Sequence, residues 1–176
     1  MKYKDIVKEI KRMYKKLGVK ADYFSYDNAE KRVITDQTFR SLVVNFFDNF
    51  NDRVGTIQSI AIQSQMIMIW SDLDKLSNMA RDIRIKIKNT RYQRTSFFVA
   101  TTKDEETFSL ISQAELTMLN LGEELDLRLH RYQEAIDSAL LSDSSRLIQE
   151  IGKLLQQFES MWTIRVEGIE SYRHIT

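Results

Sequence analysis

The chain has no cysteine, no proline and only five glycines in 176 residues. Each absence removes a class of protein. Without cysteine there is no disulfide framework, no thiolate metal site and no cysteine nucleophile. A cysteine-free chain suits a reducing compartment, so a cytoplasmic location is the expectation. Sheet-rich folds of this length need glycine and proline at many turns, whereas long helices need neither. Composition therefore favours an all-α fold before any periodicity is counted. Long apolar runs are missing too. The longest, residues 66–70, falls far short of the roughly 20 residues of a membrane-spanning helix. The start, Met1-Lys2-Tyr3-Lys4-Asp5, carries charges and no apolar stretch, so a cleaved secretion signal is not expected.

What is present is enough apolar material for a core, 43% of residues, and charge sorted along the chain. The expectation is a single helical domain over residues 1–176, with residues 1–18 as a basic amphipathic helix that could stand as an appendage. The formal net charge of +1 hides an asymmetry: residues 1–100 hold 19 Lys+Arg against 11 Asp+Glu, and residues 101–176 hold 7 against 14. Either the two halves pack on each other with complementary charge, or a basic face is left for a polyanion or an anionic membrane surface.

Four to five helices are predicted, in an elongated bundle. The first covers about residues 2–17, with Ile6, Ile10, Met13 and Leu17 on one face and Gly18 placed to end it in the left-handed region. Residues 19–35 read as a connection pinned by Tyr23, Phe24 and Tyr26. The main stretch, residues 36–89, opens on Thr35 or Asp36 as N-cap. Its apolar stripe runs Phe39, Leu42, Val43, Phe46, Phe50, Val54, Ile57, Ala61. A second stripe, Leu73, Leu76, Ala80, Ile83, Ile87, is rotated from the first by roughly 110° at 100° per residue. One long kinked helix is the reading adopted, with a break near residue 71 as the alternative. Residues 60–70, apolar nearly all round, are expected to be buried on every side.

Residues 83–88 alternate with period two, so a small β-hairpin over 83–101 competes with helix to about 89. Thr102-Lys103-Asp104-Glu105 forms a capping box for a helix over about 103–141, and a last helix covers about 143–174. These two are expected as an antiparallel hairpin turning near Ser142, in a register that sets Gly122 against Trp162 and Gly152 against Tyr132.

No HExxH, GxGxxG, Walker A or GxSxG motif occurs. His130 follows Asp126 by four residues and His174 follows Glu170 by four, but no Glu-x-x-His segment of a di-iron bundle exists. No catalytic, cofactor-binding or metal-binding residue is therefore assigned, and no cofactor. Two groups of residues do stand out. Lys8, Lys11, Arg12 and Lys15, with Arg84, Lys86, Lys88, Arg91, Tyr92 and Arg94, combine cations with an aromatic platform and are the candidates for polyanion binding. Ile60, Met66, Ile67, Trp70, Gly122 and Trp162 are the candidates for helix packing or an interface.

The function expected from the residues is a non-enzymatic helical scaffold or adaptor acting through protein–protein contacts, as a homo-oligomer. The alternative is nucleic-acid binding by segment 84–103 and the first helix. Binding of the first helix to an anionic membrane is the weakest option.

Overall fold

The structure, a computed structural model, describes residues 1–26, 31–92, 105–138 and 144–171. Among the described residues there are five helices and no strand: α1 (Tyr3–Lys16), α2 (Arg32–Gln63), α3 (Ile67–Asn89), α4 (Glu105–Asp137) and α5 (Ser144–Ser171). The chain is an all-α helical bundle. It divides into two compact units, one of residues 1–43, 89–120 and 160–176 and the other of residues 44–88 and 121–159.

In the first unit, α1 buries Ile6, Ile10 and Met13 of the face its periodicity predicts, with Tyr14 beside them, while Leu17 is half-buried. A helix of 14 residues is marginal alone. Burying each of these side chains contributes about 1.5–3 kcal/mol and holds it in place. Gly18, at φ 71°, ends it: the Gly18 amide donates to the Lys15 carbonyl and the Val19 amide to the Tyr14 carbonyl. That is the two-bond closure for which a left-handed residue is needed. The connection that follows is pinned as expected, with Tyr23 and Tyr26 fully buried.

The start of α2 differs from expectation. The helix begins at Arg32, so Thr35 and Asp36 lie inside its first turns and neither is an N-cap. The Thr35 hydroxyl donates instead to the carbonyls of Phe24 (3.0 Å) and Lys31 (2.9 Å), and Asp36 pairs with Arg40 one turn on and with the distant Arg165. Cap-type residues are also residues that bond elsewhere when buried, and tertiary pairing prevailed here.

In the second unit the long helix of the sequence reading is two helices, broken at residues 64–66 and not near 71. Gln65 sits at φ 60°; its amide donates to the Ile62 carbonyl and the Met66 amide to the Ala61 carbonyl. This is the same closure that ends α1, made without glycine. Beyond it α3 folds back along α2: the Gln58 side chain reaches the Trp70 carbonyl at 3.2 Å, Ser77 reaches Asn51 at 3.0 Å and Arg84 reaches Asp48 at 2.7 Å. The rotation between the two apolar stripes is thereby resolved, since each helix now buries its own face. Val54, Ile57 and Ala61 on α2 and Leu73, Leu76, Ala80, Ile83 and Ile87 on α3 are all buried, and the Phe47 and Phe158 rings meet edge-on at 4.9 Å.

Residues 83–89 are helical, with Ile83 and Ile87 buried and Ile85 half exposed, so the period-two reading fails there. The rest of the proposed hairpin, residues 93–101, and the turn near Ser142 lie outside the described residues. The expected register of the glycines is also revised. A Cβ on Gly122 would come within 2.6 Å of the Phe46 ring, and one on Gly152 would lie nearest Leu76 at 3.8 Å. The ring that Gly122 accommodates is Phe46 of α2.

Candidate functional site

Within the first unit, five segments aim polar side chains at one point. Arg165 of α5 is fully buried, as is Glu115 of α4. The Arg165 Nη2 donates to Asp36 Oδ1 of α2 at 2.8 Å and to the Tyr26 hydroxyl at 2.7 Å, and Nη1 donates to the Tyr92 hydroxyl at 3.2 Å. Its Nε lies 3.3 Å from Glu115 Oε2, close enough for an ion pair but without hydrogen-bond alignment. Tyr23 donates to Glu115 Oε1 at 2.8 Å and Tyr26 to Oε2 at 3.2 Å. Tyr92 donates to Asp36. Arg40 adds a second cation, 3.3 Å from Asp36 Oδ2. The guanidinium of Arg165 also lies 4.8 Å from the Phe39 ring centre and 5.0 Å from that of Trp162, placed for cation–π contact.

Burial pushes the Glu115 carboxyl up to about 7, against the pull of Arg165 and the Tyr23 hydrogen bond. Burial would raise Asp36 as well. There the charge of Arg165, the Tyr92 hydrogen bond and Arg40 outweigh it and hold the carboxyl below its ordinary value. The two acids are thus split by environment. Such a split often marks catalytic acid–base pairs. Here, however, both Arg165 and Glu115 are sealed from solvent, so no outside molecule reaches them without local opening.

The second feature is the α2–α3 apex. The side chains around the three-residue turn are apolar and exposed: Ile62 by 62%, Ile67 by 78%, Met68 by 83% and Trp70 by 38%. Ile62, Gln65, Ile67 and Trp70 line an open groove of about 650 Å³. No residue from 54 to 71 carries a charge, in a chain that is 29% charged. The expectation of all-round burial for residues 60–70 is overturned. Ala61 and Ile69 are buried and Ile60 and Met66 are half-buried, but the turn lifts the remaining apolar side chains into solvent. A straight helix would have needed neighbours on every side; an apex needs them only behind it.

The other candidates scatter. Arg84 pairs with Asp48, Lys86 with Glu159 at 3.6 Å and Arg12 with Glu9. Tyr92 belongs to the ionic cluster, and the Trp162 indole donates to Thr90 at 3.1 Å. Lys88 and Arg91 are exposed, and Arg94 lies outside the described residues. Lys8 and Lys11 line an open groove with Tyr3, Lys4, Val7 and Ser25, and Lys15 is exposed on the same helix. His130 faces Glu134 at 3.1 Å. Among the described residues no group of three potential metal ligands occurs, and no helix is long and apolar enough to cross a membrane.

The ionic cluster is what sequence reasoning missed, although a signal existed. Glu115 shares a helical stripe with Ile111 and Met118, and Arg165 shares one with Phe158, Trp162 and Ile169. A lone charge in an apolar stripe must find a counter-charge, and each of these supplies the other's.

Fold and sites together define an all-α bundle with an internal ionic cluster and an exposed apolar apex. No protein-family model matches the chain, and neither the curated proteins nor the solved structures contain a match.

Proposed function

We propose that the protein is a non-enzymatic helical scaffold or adaptor of the cytoplasm that works through protein–protein contact, self-association included. The observation that carries this reading is the apex. Four large apolar side chains exposed together on an uncharged turn have the character of an interaction site. In this reading α4 and α5 form an antiparallel hairpin. The ionic cluster serves this role by holding the first unit in one packing.

A photo-crosslinking amino acid at Met68 tests the reading in a cell extract. Discrete protein adducts are expected from position 68 and none from an exposed polar control such as Arg131. Adducts absent from position 68, or equal at both positions, would exclude the apex as a contact surface.

A second reading keeps nucleic acid, narrowed to α1. Lys4, Lys8, Lys11 and Lys15 line up on one exposed face with no ion-pair partner among the described residues. The apolar face of α1 is already in the core, which disfavours insertion into a membrane. Anisotropy titration with an oligonucleotide decides it. Binding at ~50 mM salt that weakens steeply with added salt, and is lost on replacing these lysines by glutamine, would support it.

A further inference from the structure

The geometry points to a second copy of this chain as the occupant of the apex: two copies pair about a twofold axis, Met68 of each entering the groove that Ile62, Gln65, Ile67 and Trp70 form on the other. This rests on the contact reading above and names its partner.

Three observations carry it. The first is shape. A protruding side chain, Met68 at 83% exposed, stands next to an open apolar groove on the same turn. A knob beside a hole is self-complementary under a twofold axis, because the contact made once is made twice. An unbranched thioether is also well suited to filling an irregular groove.

The second is charge. An isologous interface brings each region near its own copy, so like charges near its centre repel. Residues 54–71 carry none. The charges that bound the stretch do not recommend an anionic surface instead. Arg53 already faces Asp126 at 3.4 Å, and the other end is acidic, with Asp72 and Asp74. Lys75, exposed beside them, leaves that end with a net charge of −1, so a lipid headgroup layer or a nucleic-acid backbone would meet no net positive charge there.

The third is size. The exposed apolar side chains of two apices would bury on the order of 1,000 Å² in total, at the low end for a specific complex. The pairing should therefore be weak and reversible, with a dissociation constant in the micromolar range. Gln65 at the groove lip supplies the polar rim usual around such a patch.

The absence of cysteine makes the test direct, since any thiol introduced is the sole one. Sedimentation velocity of the purified chain from ~5 to ~500 µM should show a monomer–dimer equilibrium. Met68→Asp should weaken it at least tenfold while leaving the helical circular dichroism and the thermal midpoint unchanged. Met68→Cys mixed with Gln65→Cys should form a cross-disulfide dimer faster than either variant alone. A strict monomer at the highest concentration, a dimer indifferent to Met68→Asp, or disulfides no faster in the mixture than for Lys88→Cys mixed with Gln65→Cys would each overturn the inference. A monomer that still gives adducts from position 68 in the extract would remove the second copy and leave the contact reading intact.

Discussion

Arg165 and Met68 mark a contrast between the two units. In the first, a guanidinium is wholly buried; in the second, a methionine is 83% exposed. Among the described residues, every buried charged side chain (Arg32, Asp36, Glu115 and Arg165) belongs to the first unit, while the apolar apex belongs to the second. Hydrophobicity alone does not decide what is inside. The first unit has spent polar interactions on its own order, where misplacing one helix would strand a charge in a low dielectric. The second unit has an ordinary apolar core and leaves surplus apolar surface at its turn. One unit buries charge in its interior, and the other leaves large apolar side chains exposed at its turn.

The largest effect that could break this contrast is at Arg165. Arg165→Met leaves Asp36 and Glu115 buried together without their main cation and should cost about 3–5 kcal/mol in urea unfolding. Adding Asp36→Asn and Glu115→Gln to the same chain should recover most of that loss. A cost below about 1 kcal/mol for Arg165→Met alone would mean that the cluster is peripheral to stability.

Next in size is a dependence on pH. Glu115 has a folded value of about 7 against an ordinary 4.5. The folded state therefore holds more protons than the unfolded state between those values, and stability falls as pH rises through that window. Above about 7 the loss is complete, on the order of a few kcal/mol at about 1.4 kcal/mol per unit. Asp36 acts in the opposite sense and further down: its contribution is full above its ordinary value of 3.8 and is lost as pH falls through its lower folded value. Denaturant midpoints measured across this range should slope downward from 4.5 to about 7, and Glu115→Gln should flatten that slope. The groups whose charges or hydrogen bonds act on Glu115 (Tyr23, Tyr26, Tyr14, Asp36 and Arg165) include no histidine that would mimic the effect.

In the second unit the expected effects are smaller and steric. Gly122→Leu drives side-chain atoms into the Phe46 ring and should lower stability by about 1–3 kcal/mol, despite a better helix propensity. Gln65→Gly should act the other way. It relieves a left-handed backbone that costs a non-glycine residue about 1–2 kcal/mol, so the thermal midpoint should rise. A fall would show that the Gln65 side chain does more for the turn than its backbone costs.

Two left-handed positions, Gly18 and Gln65, also show what could be read in advance. Gly18 announced the end of α1, and the observed helix stops within a residue of the expected one, because a glycine stood where a left-handed residue was required. At Gln65 the same closure is made by a residue with no such preference, so the break between α2 and α3 left no mark in local composition. The apolar stripes on either side were legible, and their rotation was the trace of the turn. The apex was noticed as an apolar stretch but read as interior, because hydrophobicity says that a surface seeks a partner without saying whose. The ionic cluster was hidden for another reason. Its members sit at positions 26, 36, 92, 115 and 165, a spacing set by tertiary packing alone. Asp36 was misread as a cap because its real partner is 129 residues away.

That distance also orders events in time. The α2–α3 pair is joined by a three-residue turn, so its contacts close over short loops and can form early. Arg165 is bonded to residues 129 and 139 positions before it, so its contacts close far longer loops. Until it arrives, Asp36 and Glu115 lack their main counter-charge, and the first unit cannot settle in its final form. Pulse-labelled hydrogen exchange during refolding should therefore protect amides of α2 and α3 near the turn before those around Glu115. The first unit closes its interior only when α5 packs.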